Sequence, residues 1–163
     1  MKINKISTSE YFEIIFKMIE ILTSEEIDLV VAISRGGLIP GLTISEHFKD
    51  IPLDVIVASS YSKDNKKREL KLGKPSYLCF PEIKKDSRLL IVDDLVDSGE
   101  TMEAVVNLYR NKGFKNIKTA VLFYKECSKF KPDFFVEKES KDTWIHFPYE
   151  VPRKKVGRTL EVK

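Results

Sequence analysis

Apolar residues Tyr11, Ile14, Ile15, Met18, Ile19 and Leu22 recur every three or four positions, which predicts an opening amphipathic helix capped by Ser7, Thr8 or Ser9. The pattern then changes to short unbroken apolar runs. LVVAIS (29–34) reads as a buried strand, followed by the glycine turn RGG and by LIPGLTISEHF, where Leu38, Leu42, Ile44 and Phe48 suit a helix after Pro40. PLDVIVASSY (52–61), SYLCF (76–80), RLLIVDD (88–94), KTAVLFYK (118–125) and DFFVE (133–137) read as further strands, and EAVVNLYRNKG as a helix ended by Gly113. Runs without polar alternation suit strands covered on both faces. Their alternation with helices predicts an α/β fold: a central parallel sheet with helices on both sides.

Composition narrows the class. With 163 residues, of which 42% are hydrophobic, the chain is long enough for one domain with its own core. No repeat or linker divides it. Its net charge of +3 is too diffuse to announce a nucleic-acid or membrane partner. Cys79 and Cys127 lie in apolar, strand-like surroundings without CxxC spacing, and are expected to be buried thiols in a reducing compartment. Polar residues interrupt the amino-terminal stretch and no run approaches about 18 apolar residues. A cytoplasmic protein is therefore expected. Charge is concentrated in one place: between 62 and 76, Lys63, Lys66, Lys67, Arg68, Lys71 and Lys74 face only Asp64 and Glu69, a local +4.

The candidate chemistry sits at residues 91–101, IVDDLVDSGET. In an open parallel sheet, ligands gather beyond the carboxyl ends of the strands. Asp97, Ser98, Gly99, Glu100 and Thr101 fall between a strand end and a helix start, where free amides, hydroxyls and the helix N-terminus make an anion site suited to phosphate. The GxxxxGK[ST] pattern of nucleoside triphosphatases is absent from the chain. Asp93 and Asp94 leave the strand on opposite sides, and carboxylates accept from sugar hydroxyls or ligate Mg²⁺. A phosphate loop beside two acids implies a phosphorylated sugar with Mg²⁺.

IVDDLVDSGET resembles the phosphoribosyl pyrophosphate (PRPP) motif of type I phosphoribosyltransferases. The resemblance continues through AISRGGLIPG, ASSYSKDNKKREL and DTWIHFPYE, covers residues 28–150, and points to the bacterial 6-oxopurine (xanthine-guanine and hypoxanthine) group. It implies a core of about 1–137, a small C-terminal hood of about 138–152 and a charged tail at 153–163. It further implies that Asp93 and Asp94 meet the ribose hydroxyls and Mg²⁺, with Asp94 on the metal, and that residues 97–101 hold the 5′-phosphate. Ser34, Arg35, Gly36 and Gly37 would hold pyrophosphate, with a cis peptide near Ser34 and Arg35. The basic stretch 60–75 matches a mobile loop that closes over the site, in which Arg68 would contact the departing pyrophosphate.

The same resemblance addresses the acceptor. Members acting on 6-oxopurines carry Asp at the position of Asp97, where a carboxylate beside purine N7 can take a proton. Lys125, a donor only, would meet the exocyclic oxygen and reject a 6-amino group. Trp144 would stack on the base, and the backbone of Trp144 and Ile145 would read its 2-position. Tyr149 and Glu100 depart from the group, which tends to have Trp at the first position and glycine or a basic residue at the second. His47 and His146 lack metal spacing and read as structural or surface residues. The expected partners are PRPP and a purine base, with no nucleic acid and no membrane, in a homodimer or tetramer. The rival is a PRPP-sensing regulator that binds nucleic acid, supported only by Arg153, Lys154, Lys155 and Arg158, and it would not need Asp97, Lys125 and Trp144 together.

Overall fold

The computed structural model describes residues 2–49, 51–61 and 69–150. Its elements run β1 (Lys2–Lys5), α1 (Thr8–Ile21), β2 (Leu29–Ser34), α2 (Leu38–His47), β3 (Leu53–Tyr61), β4 (Glu69–Leu72), β5 (Arg88–Val96), α3 (Glu100–Asn111), β6 (Asn116–Lys125), β7 (Phe134–Glu139) and β8 (Thr143–His146). Ser7 caps α1 through a full capping box: its hydroxyl accepts from the Glu10 amide, and the Glu10 carboxylate accepts from the Ser7 amide. Pro40 stands in the first turn of α2, where its missing N–H costs no helix bond, so α2 begins at Leu38, ahead of it.

Six strands form the main sheet in the order β4-β3-β2-β5-β6-β7. The pairs from β3 to β7 are parallel, and β4 adds an antiparallel edge. Alternate residues of each strand enter opposite cores. Val30, Leu90, Val92, Ala120 and Leu122 pack under α1 and Ile44 of α2. Leu29, Val31, Ile33, Leu89, Ile91 and Val121 pack under Met102, Val105, Val106 and Tyr109 of α3. Each fully buried Ile or Leu contributes about 1.5–3 kcal/mol, which explains why the unbroken apolar runs became central strands. A second, two-stranded sheet pairs β1 with β8 in parallel, Ile3 opposite Trp144, and joins the start of the chain to the hood.

Two expectations are corrected. SYLCF is not a strand: Tyr77–Cys79 is a single 3-10 turn. The buried Asp54 carboxylate accepts from the Ser76 amide (2.9 Å) and hydroxyl (2.6 Å) and from Tyr109 Oη (2.5 Å), anchoring the start of that segment to β3 and α3. The Tyr77 ring fills the adjoining core against Phe114, 5.0 Å between centroids. Tertiary contacts thus override the local β pattern. Nor are the cysteines buried: both are exposed, Cys79 on that turn and Cys127 just after β6. Residues 62–68, which include Arg68, and the tail from 151 onward lie outside the described residues. Among the described residues no helix is long and apolar enough to cross a membrane.

Candidate active site

The strand order reverses direction between β2 and β5. The helix after β2 covers one face and the helix after β5 the other, so the two following loops part and leave a crevice at the carboxyl edge. The loops singled out in the sequence meet there. After β2 come Ser34, exposed Arg35, Gly36 and Gly37, with a cis peptide bond between Ser34 and Arg35 as expected. A Cβ on Gly36 would lie 2.3 Å from Cγ and Oδ1 of Asp94, so glycine is what lets this backbone run against the acid pair.

At the end of β5, Asp93 and Asp94 are half-buried. The Asp94 amide donates to Asp93 Oδ1 at 2.9 Å, and the Gly37 amide also stabilises the Asp93 carboxylate. Burial, and then the charge of Asp94, nevertheless push the Asp93 carboxyl well above the ordinary carboxylate range. Burial likewise raises Asp94, opposed chiefly by a hydrogen bond from the hydroxyl of Tyr149. The site therefore concentrates negative charge that its own donors only partly compensate. Such a pair suits a hard cation: Mg²⁺ takes oxygen ligands and commonly only one or two protein carboxylates, the rest coming from substrate phosphates and water. Among the described residues there is no group of three or more His, Cys, Asp or Glu able to hold a metal. Asp94 and Asp93 are the residues that could share one.

Beyond β5 the chain turns through exposed Asp97 and Ser98 to Gly99, which has φ +89°. A Cβ there would meet Phe130 Cβ and Ser128 Oγ at 2.6 Å. The Lys129 amide donates to the Ser98 carbonyl at 3.2 Å, so the segment after β6 backs this loop. Gly99 caps α3 without a side-chain bond of its own; the Glu100 amide donates to the Ser98 hydroxyl at 3.4 Å, and the next first-turn amides, including that of Thr101, are placed for an anion. Glu100 is exposed in that turn with Glu103, where both complement the positive end of the helix.

Lys125 ends β6, beside β5. It is buried, with its side chain 6% exposed, and its Nζ stands 3.1 Å from Oδ2 of Asp97, which is 60% exposed. Two of the four residues assigned to the purine are thus brought together as an ion pair. Trp144 lies 52% exposed on β8, next to the buried Ile145. His47 is exposed at the end of α2 against Phe48, and His146 is half-buried on β8. Tyr149, which departs from the group's Trp, bonds Asp94 through its hydroxyl, and nothing in the local sequence pattern indicates that bond. A separate cleft of about 630 Å³ opens at the other end of the strands, lined among others by Glu25, Glu26, Arg88 and Lys118. Four of its charged residues pair with one another, Lys118 with Glu25 at 2.5 Å and Arg88 with Glu26, and it holds none of the strand-end loops.

A mostly parallel sheet with this edge and these flanking helices is a type I phosphoribosyltransferase fold, as close structural relatives bear out. The chain belongs to the phosphoribosyl transferase family, whose domain model matches residues 5–155. It is 35% identical over 125 residues to the xanthine-guanine phosphoribosyltransferase of Cereibacter sphaeroides, covering 75% of this chain and 68% of the relative. Its structure resembles that of a purine phosphoribosyltransferase from Pyrococcus horikoshii, with TM-score 0.81 and 31% identity over 93% of this chain and 97% of the other. It also resembles the Helicobacter pylori xanthine-guanine-hypoxanthine phosphoribosyltransferase, with TM-score 0.76 and 27% identity over 91% and 94%.

Proposed function

We propose that this protein transfers the 5-phosphoribosyl group from PRPP to a 6-oxopurine, giving a nucleoside 5′-monophosphate and pyrophosphate in purine salvage. The observation that carries the acceptor class is the Asp97–Lys125 pair at the strand ends. An ammonium only donates, so Lys125 accepts a 6-oxo group as partner and is mismatched to a 6-amino group. Asp97 can take the N7 proton as the N9 lone pair attacks C1′ and the bond from C1′ to the pyrophosphate oxygen breaks. Trp144 and the Ile145 backbone hold the base from the hood side.

The remaining loops supply orientation and charge stabilisation. Residues 98–101 and the amides of α3 bind the 5′-phosphate, Asp93 accepts from ribose hydroxyls, and residues 34–37 cradle pyrophosphate. Arg68, outside the described residues, is assigned to the departing pyrophosphate on the family resemblance. Asp94 would hold Mg²⁺, which would supply charge neutralisation at the leaving group. The reading carries with it a single domain, a cytoplasmic setting and a homo-oligomer. The pairing of Asp97 with Lys125 favours an enzyme over the nucleic-acid-binding regulator, which has no use for a purine-directed acid and base. The test is incubation with Mg²⁺, PRPP and each of hypoxanthine, guanine, xanthine, adenine and uracil, following pyrophosphate. Release with at least one 6-oxopurine is expected; release with none refutes the proposal.

A further inference from the structure

Asp94 is held from a direction that the reaction scheme leaves unassigned. The turn after β8 closes on itself: the Glu150 amide donates to the Phe147 carbonyl at 3.0 Å, and the Phe147 amide donates to the Glu150 carboxylate at 3.3 Å. This turn carries Tyr149, whose ring stacks on the buried Phe147 with centroids 5.4 Å apart and planes 8° apart. The ring of Tyr11, from α1, meets Tyr149 edge-on at 5.8 Å and Phe147 at 6.0 Å. Aromatic rings so packed have little rotational freedom. The polar group of this cage that hydrogen-bonds Asp94 is the Tyr149 hydroxyl, which donates to Oδ2. Gly36 lies against the same carboxylate, where a Cβ would stand 2.3 Å from Cγ and Oδ1 and 2.5 Å from Oδ2.

The hydroxyl of Tyr11 provides an internal comparison. It is buried, it belongs to the same cage, and it has no hydrogen-bond partner, the only such side-chain atom among the described residues. Tyr11 and Tyr149 thus offer similar rings and different hydroxyls, one hydrogen-bonded to Asp94 and one without a hydrogen-bond partner.

We infer that Tyr149 is a positioning residue for PRPP binding: its hydroxyl, immobilised by the Phe147–Tyr11 cage, fixes the orientation of the Asp94 carboxylate through Oδ2. The inference rests on the function proposed above. It ties the hood, which also carries Trp144, to the acid pair of β5 through a single bond. A carboxylate without this donor samples other rotamers and must be ordered again when PRPP binds, a cost that falls on binding rather than on the chemical step.

The test is calorimetric titration of PRPP in Mg²⁺ into the wild type, Y149F, Y11F, D94N and Y149F/D94N, with steady-state constants and melting curves alongside. Losing one hydrogen bond to a charged group is expected to weaken PRPP about tenfold in Y149F and raise its KM by the same factor, with kcat and the purine KM within about twofold. Y11F, which keeps its ring and loses an unpartnered hydroxyl, is expected to bind PRPP like the wild type. On the D94N background the Tyr149 change is expected to add nothing. The inference is overturned by unchanged or tighter PRPP binding in Y149F, by an equal loss in Y11F, or by a full additional loss in the double variant. Y149F retains the whole aromatic cage, and a melting curve like that of the wild type assigns its loss to the hydroxyl. A wild type that binds no PRPP would instead overturn the enzyme reading, so the two failures are distinct.

Discussion

Replacing Lys125 with Met removes the ammonium and keeps most of the side-chain volume at the end of β6. Two consequences can be separated by magnitude. For the free protein, the broken ion pair has one member 6% and the other 60% exposed, so water takes over much of the solvation of Asp97. Pairs screened in this way are worth about 0–1 kcal/mol, and removing a buried ammonium offsets even that. Stability should change by less than about 1 kcal/mol. For the complex, the loss is a charged donor to the purine oxygen in a desolvated place, about 1.5–3 kcal/mol, or roughly 10- to 150-fold in kcat/KM for 6-oxopurines. Adenine, which presents donors at that position, should not suffer. The assay is pyrophosphate release with hypoxanthine, guanine, xanthine and adenine, with a melting curve on the same sample. An equal fall for all bases, or undiminished 6-oxopurine turnover, would refute the role given to Lys125.

Three other substitutions probe separate parts of the site. Asp97→Asn should cut turnover by about two orders of magnitude or more while PRPP binding, measured by titration, changes little, because the lost function is proton transfer; equal loss of both would make Asp97 a loop anchor. Gly36→Ala should weaken PRPP binding at least about tenfold with the fold retained, since its Cβ would lie 2.3 Å from the Asp94 carboxylate and force it aside; unchanged PRPP affinity would show that Asp94 is not used in this orientation. Asp93→Asn should stabilise the ligand-free protein at neutral pH. Its carboxyl is raised in the folded state, so wild-type stability from this group is complete below the unfolded value near 3.8 and is lost as pH rises through the higher folded value. The melting-temperature gap between variant and wild type should therefore shrink on acidification, and a gap independent of pH would contradict the assignment.

How far the sequence disclosed this depended on what each residue answers to. The central strands were legible because LVVAIS, RLLIVDD and KTAVLFYK are apolar on both faces, which only a doubly covered sheet satisfies. Asp93, Asp94 and the loop after β5 were legible because acids and small residues at a strand-helix junction have few structural uses together. β1 and β8 were not: each has four residues, and their pairing joins opposite ends of the chain. The turn at Tyr77–Cys79 was hidden for a similar reason, since it is set by Asp54, distant in sequence. Burial of Lys125 depends on Asp97 arriving from the neighbouring strand, and a strand-end lysine alone suggests exposure. Tyr149 looked like a simple exchange of one aromatic for another until its hydroxyl was found on Asp94.

The central claim is that the Asp97–Lys125 pair makes this family member a 6-oxopurine transferase. Pyrophosphate release by the wild-type protein with PRPP and Mg²⁺ tests it most directly, run in parallel with hypoxanthine, guanine, xanthine and adenine. The account predicts release with one or more of the first three and little with adenine. Release with adenine alone, or with no base, would contradict it.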